Sequence, residues 1–437
     1  MNTNEHNLKT IFISQRAEKD FFSKLADFRS KIINAPLLKD EDCEKVRNII
    51  RDIQLRQDEA VAEYTQKFDN ASLTSDKFRI SHKELKAAHK NIDRELLSSI
   101  KKSIKNVRLY QKQIFTGKNK KFANTGVKFS AIERIGICVP GASAPLPSTV
   151  IMTAVPAQVA GVKEIAVVSP PRYNGSIHPV ILATCYELGI DEVYRIGGVQ
   201  AVAALAYGTP SIPRVYKIVG PGNSWVQTAK KEVFGQVDID SVAGPSEVLI
   251  IADKNANAAY IAADMLSQAE HAPGSAVLFT DSQKLADDVL INLDSQCEKL
   301  SRAQETAKCL LNFSLIACFK NMDEVIRQAN SFASEHLQIQ CGKSSRKISD
   351  KIKNAGAIFI GEFSPVATGD YFAGPSHTLP TGASARFFSP LSSNDFIKTT
   401  SLIEYSKKML AKSADDIVRI AEAEGLDAHA KSVKIRM

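Results

Sequence analysis

The chain has 437 residues, of which 44% are hydrophobic and 24% charged, with 22 Gly and 17 Pro. This length and composition are typical of a folded multi-domain protein and exclude a disordered, collagenous or fibrous chain. Lys and Arg outnumber Asp and Glu by 56 to 48, so the formal net charge is +8 and a nucleic-acid partner has to be considered.

The positive charge is concentrated in one segment. Residues 101–132 contain nine Lys or Arg and no acid, so the rest of the chain is nearly neutral. In its first part, KKSIKNVRLYQKQIFTGKNKK, the aromatic residues Tyr110 and Phe115 fit a helix face better than a platform for stacking bases. We therefore expect a solvated connecting segment and no nucleic-acid partner. Salt-sensitive retention of DNA by the pure protein would favour the alternative, a nucleic-acid-binding protein.

Neither secretion nor membrane insertion is expected. The first residues, MNTNEHNLKTIF, lack a basic stretch followed by an apolar core, which a signal peptide would need. The longest charge-free run, 135–162, contains four prolines, which would break a helix crossing lipid. Seven scattered cysteines without C-x-x-C spacing are typical of reduced thiols, so we expect a cytoplasmic protein.

In chain order, the predicted elements begin with charged-face helices over residues 14–115. After Ile132, helix-length segments alternate with the apolar runs IGICV, IAVVS, VYRIGG, VYKIVG, EVLIIAD, AVLFT, SLIACF, EHLQIQ and GAIFI. This alternation predicts βαβ units on parallel sheets. Beyond Pro390 the chain is predicted to be helical again, first in SSNDFIKTTSLIEYSKKML and then in DDIVRIAEAEGL.

The predicted fold class is α/β, with two tandem Rossmann-like parallel-sheet domains of similar topology and helical N- and C-terminal extensions. The predicted boundaries are 1–36 for the N-terminal helical extension, 37–135 with 247–390 for one α/β domain, 136–246 for the other, and 391–437 for the C-terminal helical tail.

Three Gly-rich segments follow predicted strands, namely VPGASAP (139–145), IGGVQA (196–201) and VGPGNSW (219–225). No G-x-G-x-x-G follows a predicted strand, so the usual dinucleotide fingerprint is absent. Small residues at the carboxyl end of a strand nevertheless allow backbone N–H groups to approach a phosphate. A single turn of this kind can be only a tight turn, but three on one sheet favour a ligand crevice.

Two polar pairs are candidates for chemistry. Gln268 and His271 in SQAEHAPG are spaced i, i+3 at a predicted helix end, which suits two metal ligands or a His that complements the helix dipole. Glu335 and His336 in ASEHLQI begin an apolar strand. Because two titratable groups are costly to desolvate there, they form a candidate acid/base pair, with a surface pair on an edge strand as the alternative.

Two further pairs lie near the end of the chain. Asp370 and His377 fall in the Gly/Pro-rich segment GDYFAGPSHTLPTG, after the predicted strand GAIFI. Glu424 and His429 in AEAEGLDAHA follow a predicted helix and, taken alone, indicate a solvated tail.

Together, the segments SQAEH, SEHLQ, GAIFIGEFSP, TGDYFAGPSH and AEAEGLDAHA and the run from VGPGN through AGPSEVLI resemble the histidinol dehydrogenase family. The resemblance extends in order over nearly the whole chain from residue 35 onward. It implies NAD-dependent, four-electron oxidation of L-histidinol through L-histidinal to L-histidine, the last step of histidine biosynthesis.

The resemblance also implies a role for individual residues. His336 would be the general base, and Glu335 would activate water. One Zn²⁺ per subunit, with Mn²⁺ or Co²⁺ as possible substitutes, would be held by Gln268, His271, Asp370 and His429. Implied substrate contacts are Ser246, Gln268, His271, His336, Asp370, His377, Glu424 and His429. Implied NAD contacts are Cys138, Gln200 and Asn223.

The family's C-terminal tail reaches into the other subunit, so Glu424 and His429 imply a homodimer. The 136–246 domain would bind NAD, and the domain formed by 37–135 and 247–390 would carry the metal and acid/base residues. A paralogous zinc- and NAD-dependent dehydrogenase of another small alcohol or diol is the alternative. Glu424 together with Ser246 favours histidinol.

Four positions depart from the usual family sequence. Cys138 replaces an aromatic residue near the nucleotide, and Ser376 replaces an Asn beside His377. Ala142 and Ala383 replace glycines of Gly-Gly pairs, which costs on the order of 1 kcal/mol wherever φ is positive. Cys138 also suggests a thiohemiacetal route for aldehyde oxidation, as an alternative to the acid/base pair.

Overall fold

The computed structural model describes residues 8–34, 38–141, 144–270 and 273–437. The strands in these ranges are β1 (Phe12–Ser14), β2 (Lys120–Lys121), β3 (Thr125–Ala131), β4 (Arg134–Cys138), β5 (Glu164–Val168), β6 (Glu192–Tyr194), β7 (Lys217–Val219), β8 (Asp238–Ile239), β9 (Glu247–Ala252), β10 (Ser275–Thr280), β11 (Ser314–Cys318), β12 (His336–Gln340), β13 (Ala357–Ile360) and β14 (Ile397–Ile403).

The α-helices in the same ranges are α1 (Phe21–Asn34), α2 (Asp40–Arg56), α3 (Asp58–Asp69), α4 (His82–Asn91), α5 (Arg94–Ile114), α6 (Pro147–Ala160), α7 (Pro179–Glu187), α8 (Gly198–Tyr207), α9 (Ser224–Val233), α10 (Ala258–Ala269), α11 (Gln283–Cys297), α12 (Ala303–Phe313), α13 (Met322–Phe332), α14 (Ser345–Ser349), α15 (Val366–Tyr371), α16 (Lys407–Ala423) and α17 (Asp427–Lys434). Among the helices of the described ranges, none is both long and apolar enough to cross a bilayer.

Two parallel sheets confirm the predicted α/β fold class. The larger sheet has six strands in the order β1-β11-β10-β9-β12-β13, and the smaller has five in the order β6-β5-β4-β7-β8. Every apolar run that predicted a strand after Ile132 lies in one of these sheets. The N-terminal region adds a detail that was not predicted, since β1 pairs with β11 at one edge of the larger sheet.

Both parallel sheets belong to one compact unit, which comprises the described parts of Met1–Phe115 and Ile132–Phe396. In the larger sheet, one face is covered by α10, α11 and α12, and the other by α1 and α13. Helices α2 and α3 pack with α8 and α9 in the core of the smaller sheet. The domain boundaries given above stay a prediction.

A second unit comprises Thr116–Ala131 and Ile397–Met437. It contains α16, α17 and an antiparallel sheet in the order β14-β3-β2. Helix was predicted throughout the sequence after Pro390, and for Ile397–Ile403 this was wrong. These residues pair with β3 along their whole length, and their Ile and Thr side chains favour a strand. Helix resumes at Lys407, as expected.

Candidate active site

A cavity of about 220 Å³ lies between the two parallel sheets and is reached by six of the predicted site residues. They are Ser246, Gln268, Glu335, His336, Asp370 and His377. At the smaller sheet the cavity meets the carboxyl ends of β7 and β8, but at the larger sheet it meets the amino ends of β9 and β12. Open α/β sheets usually bind ligands at carboxyl ends, so the larger sheet departs from that rule.

Glu335 and His336 are both fixed by the backbone of one residue on the neighbouring strand. The N–H of Glu247 donates to Oε2 of Glu335 at 2.8 Å, and Nδ1 of His336 lies 3.2 Å from the Glu247 carbonyl oxygen. A carbonyl only accepts, so in the neutral imidazole Nδ1 carries the proton and Nε2 is the basic atom. Both side chains are almost fully buried, which rules out the edge-strand surface pair.

The two groups influence each other's ionisation. Burial raises the pKa of the Glu335 carboxyl, although the neighbouring imidazole acts in the opposite direction. Burial lowers the pKa of His336, but the carboxylates of Glu335 and Asp370 outweigh this effect and the net shift is upward. Perturbed pairs of this kind in a cavity are typical of acid/base sites.

Asp370 and His377 line the same cavity as the pair. Oδ1 of Asp370 is 3.6 Å from Nε2 of His336. Within the described residues, Nε2 of His336 and Nε2 of His377 are buried without a hydrogen-bond partner. Burial lowers the pKa of His377 to about 4, so this imidazole is neutral near pH 7. A second cavity, of about 660 Å³, also reaches His336, Asp370 and His377.

Gln268 lies near the end of α10 and lines the cavity of about 220 Å³. Its Nε2 is buried and has no hydrogen-bond partner among the described residues. A Cβ at Gly274 would lie 2.9 Å from that atom, so glycine leaves room for the amide. Which amide atom is oxygen follows from the hydrogen-bond network, and either orientation presents one polar atom to the site.

Whether these donors fit a metal can be tested on chemistry. Gln268 and Asp370 line the same cavity and offer an amide and a carboxylate, oxygen donors that zinc accepts. His271 lies outside the described residues. Over the described ranges, no cluster of three or more His, Cys, Asp and Glu is arranged to hold a metal. Gln268 and Asp370 therefore suit zinc as donors, but among the described residues they do not form a complete metal site.

The predicted Gly-rich segments 196–201 and 219–225 each follow a strand of the smaller sheet and lead into a helix, as expected. The described residues of segment 139–145 lie between β4 and α6. After β7, the backbone of Gly220 passes so close to that of Cys138 that a Cβ on Gly220 would lie 2.3 Å from the carbonyl oxygen of Cys138. The turn is held by a buried ion pair, because Asp240 accepts from the Gly220 N–H at 2.7 Å and Lys230 donates to the Gly220 carbonyl at 3.0 Å. The prediction missed Lys230 and Asp240.

The three residues predicted to contact the nucleotide differ in their exposure. Cys138 ends β4 and is buried, and burial raises the pKa of its thiol to about 12 although Lys230 acts in the opposite direction. A thiol in that state is a poor nucleophile, which argues against the thiohemiacetal route. Gln200 is fully buried, with Nε2 3.4 Å from Oδ2 of Asp69. Asn223 is exposed and caps α9.

The departures from the family sequence have structural counterparts where they are described. Ala383 has φ +68°, the left-handed region in which alanine is strained. The hydroxyl of Ser376 donates to the carbonyl of Met152 at 2.9 Å and accepts from the N–H of Thr378 at 3.2 Å, so this serine fixes the start of the His377 loop. Ala142 lies outside the described residues.

Glu424 and His429 belong to the second unit. Glu424 is the C-cap residue that follows α16, and His429 lies in α17. Both side chains are exposed. Their part in a site stays a prediction.

Glu247 contacts the candidate acid/base pair and was not predicted, although its position in the sequence carries a signal. It stands in the quoted run AGPSEVLI, as the one charged residue at the start of a fully buried strand. A charge in that position is costly without a partner, and this signal could have drawn attention to it. Its backbone contacts with Glu335 and His336 depend on the pairing of β9 with β12, which the sequence does not reveal.

Comparisons with known proteins confirm the resemblance. A family model described as Histidinol dehydrogenase matches residues 36–437. A histidinol dehydrogenase of Rhodopirellula baltica is 47% identical over 397 residues, covering 90% of this chain and 86% of that protein. One from Caldanaerobacter subterraneus subsp. tengcongensis is 45% identical over 423 residues, covering 95% and 96%. The crystal structure of histidinol dehydrogenase from Elizabethkingia anophelis matches with a TM-score of 0.89 and 36% identity, covering 97% of each chain.

Proposed function

This chain belongs to the histidinol dehydrogenase family, a family of oxidoreductases, and we propose that it oxidises L-histidinol through L-histidinal to L-histidine with two molecules of NAD. One observation carries the proposal: Glu335 and His336 are buried side by side, are both held by the backbone of Glu247, and open onto a cavity that Gln268 and Asp370 also line. That cavity combines a base, a carboxylate beside it and donors for a metal.

His336 is the proposed general base for both oxidations. With the proton held on Nδ1 by the Glu247 carbonyl, Nε2 takes the proton from the alcohol oxygen while hydride leaves the carbon. As water adds to the aldehyde, Nε2 returns that proton to the aldehyde oxygen, and the same atom then takes a hydroxyl proton of the hydrate during the second hydride transfer. When bound, NAD supplies the acceptor for each hydride.

Glu335 is the proposed residue that activates water. Its carboxylate lies 3.5 Å from Nδ1 of His336 and keeps one oxygen on the Glu247 N–H, so the side chain has one defined orientation. It accepts a proton from water as the oxygen attacks the aldehyde carbon. Water must therefore enter between the two oxidations, and the site must retain the aldehyde until it does.

Gln268, His271, Asp370 and His429 are the residues that would hold zinc. When bound, zinc would supply an anchor for the imidazole and amino nitrogens of the substrate, which places the alcohol carbon rather than activating water. The unpartnered Nε2 of Gln268 and the cavity position of Asp370 support this assignment. Manganese or cobalt would suit the same donors.

Further contacts are proposed on the same basis. Ser246 and His377, which line the cavity, would contact substrate, and Glu424 would join them from the tail. Cys138, Gln200 and Asn223 would contact NAD around the Gly-rich turns. Of these, Cys138 and Gln200 are buried, so their contact would be through the turn backbone beside them.

We also propose a cytoplasmic homodimer in which Glu424 and His429 complete the partner's site. The family resemblance of the tail sequence AEAEGLDAHA supports this, and so does the exposure of both side chains on the second unit. No nucleic-acid partner or membrane is part of the proposal.

Substrate discrimination tests the proposed function. The purified zinc-loaded protein should reduce NAD in the presence of L-histidinol, and a sulfonated propanediol or a plain diol at the same concentration should give little or no NADH. Turnover of a diol together with no turnover of L-histidinol would instead establish the paralogous dehydrogenase.

A further inference from the structure

Helix α1 carries a largely buried cation, Arg29, which contacts the residue that holds the acid/base pair. The guanidinium of Arg29 forms a two-pronged ion pair with the carboxylate of Glu247, in which the second contact, from Nη2 to Oε1, measures 3.2 Å. The side chains of Arg29 and Glu247 are 11% and 4% exposed, so little water screens the pair. Bidentate pairs of this kind fix geometry as well as charge.

Arg29 also holds the chain that leads into Glu335. Its Nη2 donates to the carbonyl oxygen of Phe332, the last residue of α13, and lies 3.5 Å from that of Ala333. The guanidinium carbon sits 3.8 Å from the centroid of the Phe332 ring. Ala333 has φ +52°, so α13 ends sharply just before Ser334 and Glu335.

One guanidinium therefore joins the two backbone segments that set the acid/base pair. On one side it holds Glu247, whose N–H and carbonyl bind Glu335 and His336. On the other it holds the α13 end, from which the chain reaches Glu335 after two more residues. The first paired residues of β9 and β12, Val248 and His336, face each other directly in the sheet.

We propose that Arg29 is a positioning residue for the proposed reaction, which acts by clamping the amino ends of β9 and β12 so that Glu335 and His336 keep their relative orientation. The inference rests on the proposed roles of those two residues. Arg29 precedes residue 36, where the family match begins. It belongs to α1, which covers one face of the larger sheet, and it does not line the cavity.

The alternative is a purely structural role, in which Arg29 only holds α1 against the sheet. The same helix offers a matched control, because Nζ of Lys31 donates to the carbonyl of Asn312 at 2.7 Å and lies over the ring of Phe313. Lys31 is thus also a cation of α1 that binds a backbone carbonyl and an aromatic ring of the same domain. It makes no contact with Glu247 or with the end of α13.

The clamp and the docking role predict different kinetics. Misplacement of catalytic groups by about 1 Å can cost about 100-fold in rate. If Arg29 acts as a clamp, its loss should lower kcat for both oxidations, since both Glu335 and His336 depend on Glu247. The KM values for L-histidinol and NAD should change much less, because the residues proposed to hold the substrate-anchoring zinc are on other elements. Loss of a docking contact would lower stability and leave the kcat of the folded enzyme unchanged.

The test uses R29K, R29A, E247Q, the double variant R29A/E247Q and K31A, each assayed as folded, zinc-loaded dimer. We expect kcat to fall at least 10-fold in R29A and less in R29K, which keeps the charge without the fork. KM should move by less than about threefold, K31A should keep wild-type kcat, and methylguanidine should partly restore R29A. R29K remains informative if R29A does not fold.

The double variant completes the test. If Arg29 acts through Glu247, R29A/E247Q should be no slower than the slower single variant, because each change breaks the same link. Wild-type kcat in folded R29K and R29A, or losses in K31A equal to those in R29A, would overturn the clamp. A wild-type protein inactive on L-histidinol would overturn the proposed function instead, so the two failures are distinguishable.

Discussion

Nδ1 of His336 lies 3.2 Å from the carbonyl oxygen of Glu247, and this contact decides which imidazole nitrogen can act as a base. The acceptor keeps the proton on Nδ1, so that Nε2, 3.6 Å from Oδ1 of Asp370, is the atom that can accept a proton. The same Glu247 residue binds Glu335 through its N–H. Two proposed catalytic side chains thus share one backbone reference point.

The first prediction concerns His336. H336N removes the basic nitrogen and keeps a polar side chain, so kcat on L-histidinol should fall by roughly 100- to 10,000-fold, the range typical of a lost general base. Zinc content, measured by atomic spectroscopy, should stay at the wild-type level. H89N is the control and should keep wild-type kcat, because His89 contacts Glu187 and Tyr186 and does not line the cavity. Loss of zinc in H336N would show that His336 is a ligand.

The second prediction separates the two oxidations. E335Q cannot activate water, but its side chain can still accept the Glu247 N–H, so the first oxidation should persist while histidine formation falls at least 100-fold. The assay follows NADH by absorbance and traps aldehyde with a hydrazine. Trapped histidinal should rise, and the NADH formed per substrate consumed should approach one. Histidine formation at the wild-type rate would refute the role of Glu335.

The third prediction concerns the turn after β7. D240N weakens the buried pair with Lys230, which should destabilise the protein by about 3 kcal/mol and raise the KM for NAD more than that for L-histidinol. D238N is the matched control, because Asp238 also pairs with a buried lysine, Lys217, but is itself half exposed, so its loss should cost less than the loss of Asp240. Urea unfolding and initial rates measure both effects. Equal effects from the two variants would contradict a special role for the Asp240 pair.

The fourth prediction tests the proposed sharing of sites between subunits. H336N and H429N alter different units of the chain, and each homodimer should be inactive. A heterodimer carrying one of each, purified through two different tags, should have one intact site and about half of wild-type activity. If the heterodimer is as inactive as both homodimers, His429 acts within its own chain.

The sequence predicted the parts of the fold that depend on local pattern. Apolar runs such as EVLIIAD and GAIFI are bounded by helix-length segments, and each became a strand of a parallel sheet. Residues 397–403 were predicted wrongly because their strand depends on pairing with β3, more than 260 positions earlier in the chain. Local periodicity carries no information about such a partner.

The same distinction applies to the site. Glu335 and His336 could be predicted because two adjacent titratable residues stand at the start of a buried strand, where a charge is costly. Arg29, Glu247 and Asp240 could not be assigned roles, because each acts through a backbone group or partner that only the fold brings near. The Glu247 contacts, for example, span 88 and 89 positions in the chain.

We propose that one site, built around Glu335 and His336, carries out both oxidations without releasing the aldehyde. The most direct measurement is the ratio of NADH to L-histidine formed by the wild-type enzyme from L-histidinol, with a hydrazine present to capture free aldehyde. We expect two NADH per histidine and almost no captured histidinal. One NADH per histidinol with histidinal released into solution would contradict it.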